Sequence, residues 1–243
     1  MACTVLIKSG RVKGVALGEA HFHRAQSRDE ENHGIEEQWR GPMAIPDYEK
    51  AIALGAEVAR SSFSIGAIYA QYGEGEKALP YLDVAVAANG PRLAAALAAR
   101  AQAHGQLGHY DAAMADFDRA VALKPGDPDA LVARSLTYLV HGDYDLALAD
   151  CEAAAKAKAR FALVAWAHRV CGNAHYLKKN YAAAIVAYDA AEQTTGPSAD
   201  ISYARGIAKF RNGDVAGAQT DINQAFFMDS NAGTRAAKLG IAP

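Results

Sequence analysis

Apolar positions along the chain follow the period of an α-helix. Downstream of Tyr110, an alanine stands three positions on, a bulky residue seven positions on and a second alanine ten positions on. These spacings place Ala113, Phe117 and Ala120 on one face of a helix, where small side chains let a second helix approach closely. The same pattern begins again at Gly75, Tyr144, Tyr181 and Val215. It therefore predicts a series of closely packed helices.

Turn signals separate these helices. Gly108 and Gly142 stand two residues before a tyrosine, where glycine suits the tight turn between two antiparallel helices. Prolines that stop a helix follow three of the segments, at Pro91, Pro125 and Pro197. Equivalent units begin at Ala59, Ala94, Pro128, Ala165 and Ala199, in steps of 35, 34, 37 and 34 residues. A repeat of this length predicts stacked helical hairpins.

The repeat resembles the tetratricopeptide repeat family over about residues 59–228, in its period and in its Gly-x-Tyr, Ala, bulky, Ala and Pro positions. The tryptophan that this family carries near the start of each unit is replaced by Ser62, Leu97, Leu131, His168 and Ser202. The resemblance implies an all-α fold. The expected architecture is an α-solenoid, a right-handed superhelix of about six antiparallel helical hairpins with a C-terminal capping helix.

The pattern weakens outside the five clear units. Residues 44–54 predict the second helix of a degenerate hairpin, residues 17–29 its first helix, and residues 30–41 an acidic, mobile insertion between them. Residues 3–8 are interpreted as one more helical remnant, and residues 232–239 as the cap. The expected organisation is a degenerate N-terminal repeat with an acidic insertion over 1–58, five repeats over 59–228 and a cap over 229–243.

Composition narrows the classes of function. The 243 residues include 25 Lys and Arg against 27 Asp and Glu, so the net charge is −2 and lacks the basic excess of a nucleic-acid-binding protein. Hydrophobic residues make up 51% of the chain and aromatic residues only 8%. No apolar run reaches the roughly 18 residues that a membrane helix needs. We therefore expect no nucleic-acid partner and no membrane insertion.

The cysteines and the N-terminus bear on the compartment. Cys3, Cys151 and Cys171 are few and odd in number, so we expect small packing residues rather than a disulfide framework. Residues 1–10 lack the apolar core and cleavage site of a signal peptide. The expectation is a cytoplasmic protein as the sequence is written, or an exported or periplasmic one if Met1 replaces a removed leader.

Motifs of catalysis are not found in the sequence, which has no phosphate-binding loop, no Gly-x-Ser-x-Gly and no His-Glu-x-x-His. Asp116 and Asp150 recur at one repeat position, so we interpret them as part of a solvated face carrying charge pairs. His168, Cys171 and His175 share one helical stripe and could offer zinc two nitrogens and a sulfur. Since a fourth ligand is missing and other units place packing residues there, packing between helices is the favoured interpretation. We predict no catalytic residue, no metal and no cofactor.

The resemblance also implies where a partner would bind. In this family, positions two, five, nine, twelve and thirteen of each unit line the concave side. The first two units carry mostly small side chains at these positions. The fourth and fifth carry aromatic residues and arginines, which are enriched in binding hot spots. An alternative is that these aromatics pack on the neighbouring hairpin or under the cap. The predicted partner-binding residues are Trp166, Arg169, Asn173, Tyr176, Tyr203, Ile207, Phe210 and Arg211.

Three hypotheses for the function follow. The first is a non-catalytic protein–protein interaction scaffold that binds a partner peptide or helix in the concave groove. The second is a self-assembling, homo-oligomeric repeat protein, because the open ends of a helical stack can pair. The third and least favoured is a metal-binding or hydrolytic protein.

Overall fold

The computed structural model describes residues 2–30 and 37–241, and over these residues the chain consists of helices joined by short turns. The helices are α1 Ala2–Ser9, α2 Gly14–Glu30, α3 Glu37–Ala53, α4 Val58–Gln71, α5 Gly75–Ala87, α6 Leu93–Gln106, α7 Tyr110–Leu123, α8 Pro128–His141, α9 Tyr144–Lys156, α10 Phe161–Leu177, α11 Tyr181–Thr195, α12 Ala199–Arg211, α13 Val215–Met228 and α14 Ala232–Ala237. The predicted all-α fold is confirmed. Among the described residues, no helix is long and apolar enough to cross a membrane.

Consecutive helices pack as hairpins. Direct packing joins α2 with α3, α4 with α5, α8 with α9, α10 with α11, and α12 with α13. The α6 and α7 helices are joined by an ion pair between Arg100 and Asp116. The short α14 packs on α12. The alanines and bulky residues that predicted these hairpins are buried between their helices, as at Ala113, Phe117 and Ala120.

The chain forms two compact units, Met1–Ala120 and Val121–Pro243. In the first unit, the side chains of Phe22 and Tyr48 are fully buried, and their ring centroids lie 5.8 Å apart. Gly66 of α4 faces Leu82 of α5 so closely that a Cβ on the glycine would lie 2.5 Å from the leucine side chain. Close packing in this unit therefore depends on the absence of a side chain at Gly66.

The second unit is built on the same kind of contact. A Cβ on Gly172 of α10 would lie 2.5 Å from the ring of Tyr188 on α11. The Tyr188 ring is buried, and its hydroxyl donates a hydrogen bond of 2.8 Å to Oδ1 of Asn173. Burial raises the pKa of this hydroxyl above its usual range, so it stays protonated and keeps donating.

An arginine and an aspartate sixteen residues apart join the two helices of three hairpins. In each pair, Arg Nε donates to Oδ2 at 2.7 Å and Arg Nη2 donates to Oδ1 at 2.9 Å. The pairs are Arg100–Asp116, Arg134–Asp150 and Arg205–Asp221. The three aspartates are buried. The expectation that Asp116 and Asp150 lie on a solvated face is therefore wrong, because each carboxylate is buried against a guanidinium on the other helix.

The N-terminal hairpin differs from the prediction. The α3 helix begins at Glu37, so residues 37–41, which were expected to belong to an acidic mobile insertion, are helical. Glu30, the first residue of that predicted insertion, belongs to α2, and residues 31–36 lie outside the described residues. The cap is also shorter than expected, because α14 ends at Ala237, and the backbone after it folds back so that Ile241 is buried.

Two of the cysteines are joined. Cys151 of α9 and Cys171 of α10 form a disulfide, with their Cα atoms 5.7 Å apart, whereas Cys3 is free. The expectation of three unpaired packing cysteines is therefore wrong for two of them. Cys171 holds the seventh repeat position, which is taken by arginine in the three hairpins with an ion pair. The disulfide thus links α9 of one hairpin to α10 of the next, and it does so through the repeat position that carries the arginine in those three hairpins.

Candidate functional site

An open groove in the second unit brings together two of the predicted partner-binding residues. It has a volume of about 410 Å³ and lies between the start of α10, the end of α11 and the start of α12. We call it the Trp166 groove, and its lining consists of Ala162, Ala165, Trp166, Arg169, Thr195, Ser198, Asp200 and Ile201. The groove is large enough to hold a side chain or a short stretch of an extended peptide.

Local sequence explains how the groove is built. The α10 helix has 17 residues, one turn more than α4, α6 and α8 with 14 each, which accounts for the longer 37-residue step before the next unit. Trp166 and Arg169 are three residues apart and therefore share one face of α10. On the opposite wall, the Ser198 hydroxyl caps α12 by accepting a hydrogen bond of 3.3 Å from the Ile201 amide.

Trp166 is half-buried, and it packs against two clusters of buried side chains, one of which contains Val170 and the other Leu163. Its Nε1 atom is buried and has no hydrogen-bond partner among the described residues. An unsatisfied buried donor costs roughly 1–3 kcal/mol. Because this atom is buried, a ligand in the groove meets the accessible part of the ring and not the indole nitrogen.

Arg169 is the cation of the groove. Burial lowers the pKa of its guanidinium below the usual value for arginine, while the negative charge of Asp200 acts in the opposite direction. The Asp200 carboxylate is itself held by Arg235, whose Nε lies 2.7 Å from Oδ1. Within the described residues, Arg169 makes no ion pair of its own. The groove therefore places a partly desolvated positive charge beside an aromatic ring.

Four of the other predicted residues are buried inside the fold. The Asn173 amide accepts from Tyr188, and the Tyr176 ring packs at 5.5 Å from that of Tyr181. Tyr203 and Ile207 belong to the core cluster that also contains residues of α14. These contacts correspond to the alternative in which aromatics of the repeat pack on a neighbouring hairpin or under the cap.

The last two predicted residues are exposed at the end of α12. Phe210 and Arg211 lie outside the lining of the Trp166 groove. The structure thus brings Trp166 and Arg169 together and places the other six elsewhere. Partner contacts by those six stay predictions.

The metal-like stripe lies at a different cavity. His168, Cys171 and His175 line a cleft of about 440 Å³ between α9, α10 and α11. The sulfur of Cys171 is bound to Cys151, and burial lowers the pKa of both histidines. In the part of the chain that the structure describes, no group of three or more His, Cys, Asp or Glu residues is placed to hold a metal ion. The structure therefore gives the zinc hypothesis no support.

A cavity that the sequence did not point to lies in the first unit. It has a volume of about 360 Å³, and we call it the Phe63 cavity after the ring in its wall. Arg60 and Arg92 also line it. The first two repeats carry mostly small residues at their inner positions, so the sequence did not predict a binding site there. One signal was present, however, since Arg60 and Phe63 occupy the repeat positions that Trp166 and Arg169 occupy in the fourth unit.

Comparison with known sequences identifies the repeat. The family profile described as tetratricopeptide repeat matches residues 98–160 and 133–200. The human protein named tetratricopeptide repeat protein 34 is 38% identical over 64 residues, which are 26% of this chain and 11% of that protein. The chain therefore spans about a tenth of the length of this relative, and the match concerns the repeat alone.

Comparison with solved structures concerns the fold. A tetratricopeptide repeat protein from Parabacteroides merdae superposes with a TM-score of 0.71 at 17% identity, over 98% of this chain and 88% of that one. A chain from the structure titled APC/C hetero-tetramer Cut9-Hcn1 also has a TM-score of 0.71 at 17% identity, over 93% of this chain and 47% of that one. At identities this low, the superpositions show a shared fold alone.

Proposed function

Because the chain is a tetratricopeptide repeat protein, with a fold that serves as a protein–protein interaction scaffold, we propose that it binds an extended segment of a partner protein in the Trp166 groove. Binding would involve no bond chemistry. The structure titled Cut9-Hcn1 is a hetero-tetramer, and its fold likeness supports a protein as the partner.

One observation carries this proposal: the half-buried Trp166 ring and the Arg169 guanidinium, which makes no ion pair within the described residues, line the same open groove. Trp and Arg are the residue types that most often dominate binding energy when they become buried at an interface. A side chain of the partner would pack against the accessible part of the Trp166 ring. A carboxylate or a backbone carbonyl of the partner would accept from Arg169.

The remaining lining favours binding over catalysis. The Ser198 hydroxyl accepts the capping hydrogen bond of α12, and Asp200 is held by Arg235. A hydrolytic centre needs a nucleophile within reach of a base that is free to take its proton. These observations support ligand binding rather than hydrolysis at the groove.

Affinity capture from native cell extract tests the proposal. We expect Trp166→Ala and Arg169→Glu each to lower recovery of a partner about tenfold or more, because each removes a central contact. Phe161→Ala is the matched control, since this ring lies on the same helix, is 78% exposed and is not part of the groove lining. If both groove variants recovered as much partner as the wild type, and their helical circular dichroism spectra were unchanged, the groove assignment would be contradicted.

Self-assembly is the second candidate, and a cluster of exposed apolar side chains at the end of α13 favours it. Phe226, Phe227 and Met228 are exposed, and Phe227 is 92% exposed. Contiguous apolar surface of this kind marks interaction sites more often than scattered single residues do. Recovery of a differently tagged second copy in the same capture experiment would support this candidate, whereas its absence at high protein concentration would oppose it.

A further inference from the structure

The Phe63 cavity is an apolar depression with positive charge at its edge. Phe63, Ala85 and Leu93 contribute apolar surface from the second turn of α4, the end of α5 and the start of α6. Arg60 and Arg92 are the charged members of the lining, and both are exposed. The lining contains no acidic residue. Its shape and its charge therefore suit a ligand that combines an apolar group with negative charge.

The two arginines are available to a ligand. The Arg92 guanidinium lies 5.7 Å from the centroid of the Phe63 ring and has no carboxylate partner among the described residues. Arg60 pairs with Glu57 at 3.1 Å, and its guanidinium also lies 4.7 Å from the centroid of the Phe22 ring. The pair with Glu57 is exposed, and exposed pairs of this kind are worth at most about 1 kcal/mol. A carboxylate from a ligand could replace Glu57 at little cost.

The N-terminus of α6 adds to the positive potential of the cavity. Arg92 is the residue before the first turn of α6, and its side chain makes no capping hydrogen bond. The positive end of the helix dipole therefore lies next to the Arg92 guanidinium, where it favours an anion. This contribution reinforces the attraction of the two arginines for negative charge.

The second and fifth repeat positions provide an independent observation. In the first repeat they hold Arg60 and Phe63, and in the fourth repeat, 106 residues further along the chain, they hold Trp166 and Arg169. Both cavities are formed by the start of one first helix, the end of its partner helix and the start of the next first helix. Each compact unit thus carries one aromatic ring and one guanidinium at equivalent places, in opposite order.

We propose that the Phe63 cavity is a second binding site, which takes the apolar side chain of an acidic peptide segment from a partner protein. The apolar side chain would lie against Phe63, and flanking Asp or Glu residues would pair with Arg60 and Arg92. The cavity is open on one side and near the lower end of ligand-pocket volumes, so it suits one inserted side chain better than an enclosed small molecule. This inference rests on the proposed function, because both treat protein segments as the ligand, but it concerns other residues in another unit.

Binding of short blocked peptides to the full chain tests the inference. The probe is a fluorescein-labelled Glu-Glu-Leu-Glu-Glu peptide, compared with Glu-Glu-Ser-Glu-Glu and Lys-Lys-Leu-Lys-Lys. We expect the first peptide to raise the fluorescence anisotropy and to shift backbone amide resonances of residues 59–63 and 90–96. Equal binding of the serine peptide, equal binding of the lysine peptide, or no shift at these amides would each overturn the proposal.

Charge reversal separates the site from general electrostatic attraction. Arg92→Glu should weaken binding of the acidic leucine peptide about tenfold or more and should improve binding of the lysine peptide. Lys50→Glu makes the same change of charge in the first unit outside the cavity lining, and should leave both affinities within about twofold. The same loss in both variants would mean that net charge alone attracts the peptide, and would overturn the proposal.

The two proposals fail in different ways. Peptide-induced shifts confined to residues 162–201 would overturn the Phe63 site and leave the Trp166 groove standing. Shifts confined to residues 59–96, together with partner recovery that Trp166→Ala does not change, would do the reverse.

Discussion

At the scale of single residues, the buried aspartates show how this fold keeps charge inside. Asp221 is buried, yet it accepts two hydrogen bonds from Arg205 and lies 2.9 Å from Nζ of Lys209. Burial alone would raise the pKa of this carboxyl. Hydrogen bonds and charge from Arg205 and Lys209 outweigh burial, so the pKa of Asp221 is lowered below its usual value.

The lowered pKa predicts how stability depends on pH. A carboxylate whose pKa is lower in the folded state contributes stability above its unfolded pKa of about 3.9, and this contribution is lost as the pH falls through the folded value. We expect the free energy of unfolding, measured by urea titration, to fall steeply below about pH 4. Asp221→Asn should be less stable than the wild type at pH 7 and should lose less on acidification.

Glu152→Gln is the matched control for this prediction. Glu152 is an exposed carboxylate in the same unit, on α9. Its variant should follow the pH dependence of the wild type. If Asp221→Asn were to show the same acid sensitivity as the wild type, its ion pair would not be the source of that sensitivity.

At the scale of elements, the Cys151–Cys171 disulfide links α9 to α10, as arginines elsewhere in the chain link a first helix to the hairpin before it. Arg100 pairs with Asp83 of α5 at 2.8 Å, and Arg205 pairs with Asp189 of α11 at the same distance. Each of these arginines thus also links its helix to the second helix of the preceding hairpin. In the fourth repeat, a covalent bond replaces that link.

Removing the disulfide should destabilise the second unit. The bond closes a segment with a sequence separation of 20 residues, for which the chain-entropy estimate is about 3 kcal/mol. We expect Cys171→Ser, or a dithiol reductant, to lower the free energy of unfolding by roughly that amount. Cys3→Ser, which leaves the disulfide intact, should have no such effect, and a similar loss in both variants would contradict the assignment.

The disulfide also bears on the compartment. Because disulfides persist in oxidising compartments, we propose the exported alternative over the cytoplasmic one.

The sequence predicted helices better than it predicted the links between them. Spacings around residues such as Ala113 and Phe117 identify the buried face, because helical period alone decides which side chains share it. The pairing of Cys151 with Cys171 depends on the packing of successive hairpins, which no local pattern encodes. The Phe63 cavity could not be predicted for a similar reason, since its wall includes residues from the turn before α6.

At the scale of the whole molecule, each compact unit has a core of its own, and that core includes helix contacts at glycines that leave no room for a Cβ atom. Gly66 faces Leu82 in the first unit, and Gly172 faces Tyr188 in the second, each with room for no Cβ atom. In repeat proteins, stability comes from individual repeats and their neighbours rather than from one global core. Damage to one glycine contact should therefore be felt mainly in its own unit.

Hydrogen exchange followed by mass spectrometry measures this directly. Gly172→Ala should destabilise its surroundings by about 1–3 kcal/mol through overpacking and should accelerate amide exchange in Val121–Pro243 far more than in Met1–Ala120. Gly66→Ala should show the opposite distribution. Gly90→Ala is the control, because a Cβ there meets no atom within 4 Å and should leave exchange unchanged in both units. Equal acceleration across both units by either core variant would mean that the chain unfolds as one cooperative block.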